Sequence, residues 1–86
     1  MASKLLQKIK ERRQELNIRV SHMPAHTGLG REQYSAIERG GNPTLSNLER
    51  IAEGLQAEVM LIPKELVSTV EALISNSGRM DNDTNL

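Results

Sequence analysis

Three groups of side chains in this 86-residue chain have the types and spacing to do chemistry. His22 and His26 stand four residues apart, a spacing that sets two imidazoles on one face of a regular helix, where they can share a metal ion. Pro24 lies between them, the chain has no cysteine, and no carboxylate stands nearby to complete a ligand set. The expectation is therefore no metal and no cofactor, and two exposed histidines whose protonation strengthens contact with a polyanion at lower pH. The stretch TGLG, from Thr27 to Gly30, is not followed by Lys-Ser or Lys-Thr, so it is not a phosphate-cradling loop. No other constellation suggests catalysis, and an enzyme is not expected.

The second group lies between Gly30 and Arg39. At helical spacing Arg31, Glu32, Ser35 and Ala36 share one side, and Tyr34 and Ile37 share the other. Such a helix buries Tyr34 and Ile37 while offering Arg31, Glu32 and Ser35 to a groove. The third group is a pair. Arg13 falls within an apolar stripe, where an unpaired guanidinium is very costly, and Glu38, at the flank of the buried side of its own helix, is the candidate partner.

The elements that must position these residues are mainly helices. Leu5, Leu6, Ile9 and Leu16 form one stripe after a possible Ser3 cap, giving a helix over about 3–16 that Asn17 ends. Pro24 is tolerated only in a first turn, so the second helix is short, starts late with Ser21 as its cap and stops at Gly28. After the helix that begins near Gly30 comes a turn at Gly40 to Pro43. A fourth helix follows, capped by Thr44 and striped by Leu45, Leu48, Ile51, Ala52 and Leu55. Helices joined so tightly make a compact bundle, and the short link at Gly28 is what a helix-turn-helix requires.

Val59, Met60, Leu61 and Ile62 are apolar on both faces of any strand they form, between Gly54 and Pro63. A lone strand has nothing to pair with in this chain, so the expectation is pairing with the same segment of a second subunit, a homodimer interface. PKELVSTVEALIS, from Pro63, fits a final helix with Leu66, Val67, Val70, Leu73 and Ile74 on one face, extending that interface or docking a partner. The domain reading is a helix-turn-helix bundle over 1–56, a dimerisation or docking unit over 57–75 and a disordered tail over 76–86.

The formal net charge is zero but unevenly placed: nine Lys and Arg against five Asp and Glu up to Arg50, and two against six beyond it. A basic front half suits a protein that faces phosphate. The longest apolar run, Val59 to Ile62, is far below the roughly 20 residues of a membrane span, and MASKLLQKIK has no apolar leader core. A cytoplasmic protein with no membrane partner is expected.

RRQELNIRV, TGLGREQYSAIERG and NPTLSNLERIAEGL together resemble the Xre/Cro-type helix-turn-helix family, over roughly Leu5 to Leu55. The spacing from Gly28 to Ile37, Glu38 and Gly40, followed by NPTL and a leucine-rich helix, carries the likeness. Its continuation, GLQAEVMLIPKE, resembles the HipB-like subgroup of antitoxin-type repressors, encoded beside HipA-like protein kinases. The resemblance implies a homodimeric repressor that binds a palindromic double-stranded DNA operator of its own and holds a HipA-like kinase. It places Arg31, Glu32 and Ser35 where base edges are read. Arginine suits guanine O6 and N7, and glutamate can accept from cytosine N4. It sets Arg19, Gln33, Arg39 and Asn42 against the sugar-phosphate backbone, and Arg13 with Glu38 as a structural ion pair. Two departures stand out. Arg19 and Val20 occupy the place of a polar pair such as Thr-Gln, and Tyr34 fills a usually aliphatic core position, so its hydroxyl must find a partner or reach the surface. Two other functions use fewer segments: a stand-alone regulator with no toxin partner, and a protein-interaction module that no longer binds DNA.

Overall fold

The structure, a computed structural model, describes residues 4–83, with side chains to Asn76. Among these residues it is all helical: α1 (Lys4–Glu15), α2 (Met23–Thr27), α3 (Arg31–Glu38), α4 (Leu45–Gly54) and α5 (Val67–Asp83). Single 3-10 turns at Val20–His22 and Lys64–Leu66 precede α2 and α5.

Three of these helices end by the same device. After α1, Asn17 takes a left-handed conformation (φ 58°), Ile18 N–H donates to the Arg13 carbonyl and Asn17 N–H to that of Gln14. The pattern recurs after α3, with Gly40 at φ 109°, and after α4, with Gln56 at φ 53°. Each closure satisfies the last carbonyls of its helix and turns the chain sharply, which keeps the bundle small. Glycine and asparagine accept that conformation readily, and glutamine does not. The turn at Gln56 is held from outside: Arg12 of α1 donates from Nε to the Leu55 carbonyl (3.0 Å) and from its terminal nitrogen to that of Gln56 (3.5 Å).

At the other ends, the Thr44 hydroxyl accepts from Asn47 N–H (3.1 Å) and caps α4, as its position before the leucine stripe requires. The expected cap at Ser21 is not the one used. The 3-10 turn runs straight into α2, so the residue before the helix is His22, already helical, and no side chain caps it. Pro24 sits in the first turn, where its missing N–H is harmless. Ser3, the suggested cap of α1, lies outside the described residues.

The core comes from residues 6–55. Leu6, Ile9, Met23, Leu29, Tyr34, Ile37, Ile51 and Leu55 are buried together, with Leu16, Ile18, Val20 and Leu48 packed at its margin. α3 packs on α1 and α2, and α2 packs on α4. The last contact is intimate because Gly54 has no side chain: a Cβ there would stand 2.6 Å from the His26 carbonyl oxygen. Inside the turn between α2 and α3, the buried Thr27 hydroxyl donates to the Met23 carbonyl and accepts from Leu29 N–H, so it adds no unmet polar group.

Beyond Leu55 the chain leaves the core. Residues 57–63 form no strand in the single chain, since a strand needs a neighbour for its ladder and nothing within the described residues supplies one. α5 continues to Asp83, past Ser75 and through most of the stretch expected to be disordered. No proline follows Pro63 to remove a helical hydrogen bond. α5 packs on the 3-10 turn before it and on no other element to a comparable extent. No helix among the described residues is long and apolar enough to cross a membrane.

Candidate nucleic-acid interface

The anchor of the site is buried behind it. Arg13 on α1 grips Glu38, the last residue of α3, with two parallel bonds, Nε to Oε2 at 3.0 Å and a terminal nitrogen to Oε1 at 2.9 Å. The other terminal nitrogen donates to the Ile18 carbonyl at 2.9 Å. Both side chains are about nine-tenths buried (10% and 11% exposed), so this is a desolvated, two-pronged ion pair and not a surface contact. Burial pushes the Glu38 carboxyl up, but the hydrogen bond from Arg13, the nearby Tyr34 hydroxyl and the Arg13 charge pull harder and hold it below its ordinary value. Arg13 is held above its own, chiefly by the bond to Glu38.

Tyr34 neither reaches the surface nor finds a partner. Its ring is fully buried, and its hydroxyl lies beside the pair, close enough to favour the charged carboxylate but not at the distance and angle of a hydrogen bond. Burial raises the phenol well above its ordinary value.

With Tyr34, Ile37 and Glu38 held inward, the opposite face of α3 is fixed outward. Arg31, Glu32, Ser35 and Arg39 line one shallow, polar depression. None of the four makes a side-chain hydrogen bond or ion pair with any described residue. Arg31 opens the helix, where a cation opposes the helix dipole, and only Glu32 offsets it in the first turn. A local preference broken without internal compensation is what an external anion would explain. The residue before α3, Gly30, offers no side-chain cap, so the first-turn N–H groups also face outward.

The remaining candidates are exposed but dispersed. Gln33 lies on the flank of α3 away from the depression, Asn42 in the turn before α4, and Arg19 in extended backbone just before the first 3-10 turn. Arg39, expected with these backbone-facing residues, lines the same depression as Arg31, Glu32 and Ser35. His22 and His26 are exposed, and among the described residues no group of three His, Cys, Asp or Glu side chains is placed to hold a metal ion.

Residues 9–59 match the family model described as Helix-turn-helix, more than half of the chain. The chain belongs to the Xre/Cro-type helix-turn-helix family. No match was found among curated proteins or among solved structures. The helix-turn-helix is α2, the turn at Gly28 and α3. Gly28 (φ 78°) caps α2 in the left-handed region, which glycine enters without a Cβ penalty. The protein is a DNA-binding regulator of transcription, and its family is typically non-enzymatic.

In the sequence Arg12 has no marked role, and Gly54 serves only to bracket the apolar segment. Besides its local bond to Glu15, Arg12 reaches carbonyls 43 and 44 residues away, which spacing along α1 does not reveal. The one available signal was Gly54 itself, a glycine inside an otherwise good helical stripe, which points to a close backbone approach.

Proposed function

We propose that this helix-turn-helix protein is a homodimeric, sequence-specific repressor that binds a palindromic operator at its own promoter and also holds a HipA-like kinase, as a HipB-like antitoxin. The observation that carries the DNA reading is the division of α3. Tyr34 and Ile37 are buried, while Arg31, Glu32, Ser35 and Arg39 stand outward together with no internal partner. Arg31 and Glu32 enter the major groove to read base edges with Ser35, and Arg19, Gln33, Arg39 and Asn42 set register on phosphate.

The dimer reading rests on Val59, Met60 and Leu61, apolar residues 42%, 72% and 99% exposed. So much consecutive apolar exposure on a small chain marks an interaction site. Pairing Val59–Ile62 of two copies as an intersubunit strand covers it. The kinase reading rests on the likeness of GLQAEVMLIPKE to the HipB-like subgroup and on the uncovered apolar side chains of α5 and the 3-10 turn before it, with Leu73 and Ile74 exposed on the helix and Leu66 on the turn.

Titrating the full chain onto its own promoter DNA, and onto unrelated DNA of equal length, at two salt concentrations tests the proposal. Binding that prefers the promoter and weakens steeply with salt is expected. Equal affinity for both DNAs removes the operator reading. For the kinase, co-purification with the product of a neighbouring kinase gene is expected, and no association leaves a stand-alone regulator.

A further inference from the structure

Lys10 stands on α1 beside the end of α3, and no group inside the molecule is bonded to it. At 3.6 residues per turn, Leu6, Ile9 and Arg13 form the buried stripe of α1, with Arg12 on one flank and Lys10 on the other. The Arg12 flank is closed against the end of α4 by the bonds to Leu55 and Gln56. Lys10 therefore lies on the side away from α4, one turn before Arg13, which grips Glu38 at the end of α3. The Glu38 carboxyl responds to that closeness: burial raises it, Arg13 and Tyr34 lower it, and so does the charge of Lys10.

Lys10 is nonetheless exposed and makes no ion pair or side-chain hydrogen bond with any described residue. The reason is local. The positions three and four residues away on its own helix are Leu6, Gln7, Arg13 and Gln14, none of them acidic. The acids of α1 are engaged elsewhere, Glu11 by Lys8 (3.6 Å) and Glu15 by Arg12 (3.0 Å). Both oxygens of Glu38 are held by Arg13. Glu38 and Arg13 thus cancel, and Lys10 and Arg39, the residue after Glu38, remain as surplus cations around the end of α3.

Resting on the DNA reading of α3 above, we propose that Lys10 extends the DNA interface onto α1, its ammonium contacting a backbone phosphate where the groove wall passes the end of α3 beside Arg39. The carbonyl end of a helix repels phosphate, so a DNA strand passes there only where cations outweigh it. Lys10 supplies that excess. A compact charge on a flexible stem adds affinity and sets register without reading sequence.

Titrating the full chain with its promoter DNA and with unrelated DNA across a range of salt tests this, with circular dichroism melts to follow folding. Lys10→Ala should weaken both DNAs alike, about three- to tenfold at low salt, and reduce the slope of log affinity against log salt by about 0.9, the value of one phosphate contact. Lys10→Arg should keep both affinity and slope. A Lys10→Ala protein that melts lower yet keeps the wild-type slope makes Lys10 a mere support of Glu38 and overturns the proposal, as does a loss confined to the promoter. If the wild type binds both DNAs equally but Lys10→Ala still lowers the slope, the operator reading falls and the phosphate contact stands. A wild type that binds neither DNA overturns both.

Discussion

Arg13 shows how one misplaced residue organises a site. A guanidinium in an apolar stripe demands a carboxylate, and Glu38 supplies it from the end of α3, so the pair fixes the rotation of α3 about its axis. Removing one partner leaves a buried charge uncompensated. Glu38→Ala should therefore lower stability by about 3 to 5 kcal/mol, read as a shift of the urea midpoint at constant slope. A midpoint near wild type would mean the pair contributes nothing. Because folding depresses the Glu38 carboxyl, its stabilisation is present above the unfolded-state value and is lost as pH falls through the folded one. Glu38→Gln should flatten the acid limb of stability against pH, below the ordinary glutamate range. Tyr34 carries the opposite lesson, since its buried hydroxyl lacks a partner. Tyr34→Phe removes that polar group and keeps the ring, so it should leave the protein as stable or up to about 1 kcal/mol more stable. A thermal melt showing marked destabilisation would give the hydroxyl a role beside the pair.

Among the elements, α4 is positioned by what it lacks. Alanine favours a helix over glycine by about 1 kcal/mol, but a Cβ at Gly54 would meet the His26 carbonyl oxygen at 2.6 Å and Thr27 Cγ2 at 3.0 Å. Steric exclusion by backbone outweighs propensity here. Gly54→Ala should destabilise by about 1 to 3 kcal/mol, and a raised denaturation midpoint would show that α2 and α4 part without penalty. α3 is tested by function. Arg31→Ala should lose about 1 to 3 kcal/mol at one base pair per half-site and relax preference there. Arg39→Ala should weaken all sequences alike and flatten the salt slope. Operator variants titrated at two salts separate the two, and unchanged specificity in Arg31→Ala would move the reading face elsewhere on α3.

At the scale of the whole molecule, the chain is a closed bundle followed by an open extension. Among the described residues every core residue lies between Leu6 and Leu55, whereas Leu61 is 99% exposed. A charge at Leu61 therefore leaves the bundle untouched in a single chain. If the proposed homodimer forms through this segment, Leu61→Asp should shift the protein from dimer to monomer and weaken operator binding at least about tenfold, because one subunit makes half of the contacts. Sedimentation and operator titration on one sample read both effects. A stable dimer with unchanged affinity would move the seam from Val59–Ile62 to α5.

The helices and most of their inward faces were legible in the sequence because each rests on local spacing, although Leu5 and Leu45, read as members of those stripes, are 40% and 65% exposed. The stripe on α4 with Thr44 before it, the stops at Asn17 and Gly28, and the split of α3 between Tyr34 with Ile37 and Arg31 with Ser35 all follow from residues within one or two turns. Even the need for a carboxylate near Arg13 could be read, since the cost of a buried charge does not depend on the fold. Tertiary structure alone decided which surfaces meet. Only packing shows that Arg12 closes the end of α4, that Gly54 admits α2, that the Tyr34 hydroxyl stays unpaired and that Arg39 lines the same depression as Arg31. It also decided that residues 57–63 form no strand in one chain and that α5 continues to Asp83. These outcomes depend on groups distant in sequence or missing from the chain, and local periodicity carries no information about either.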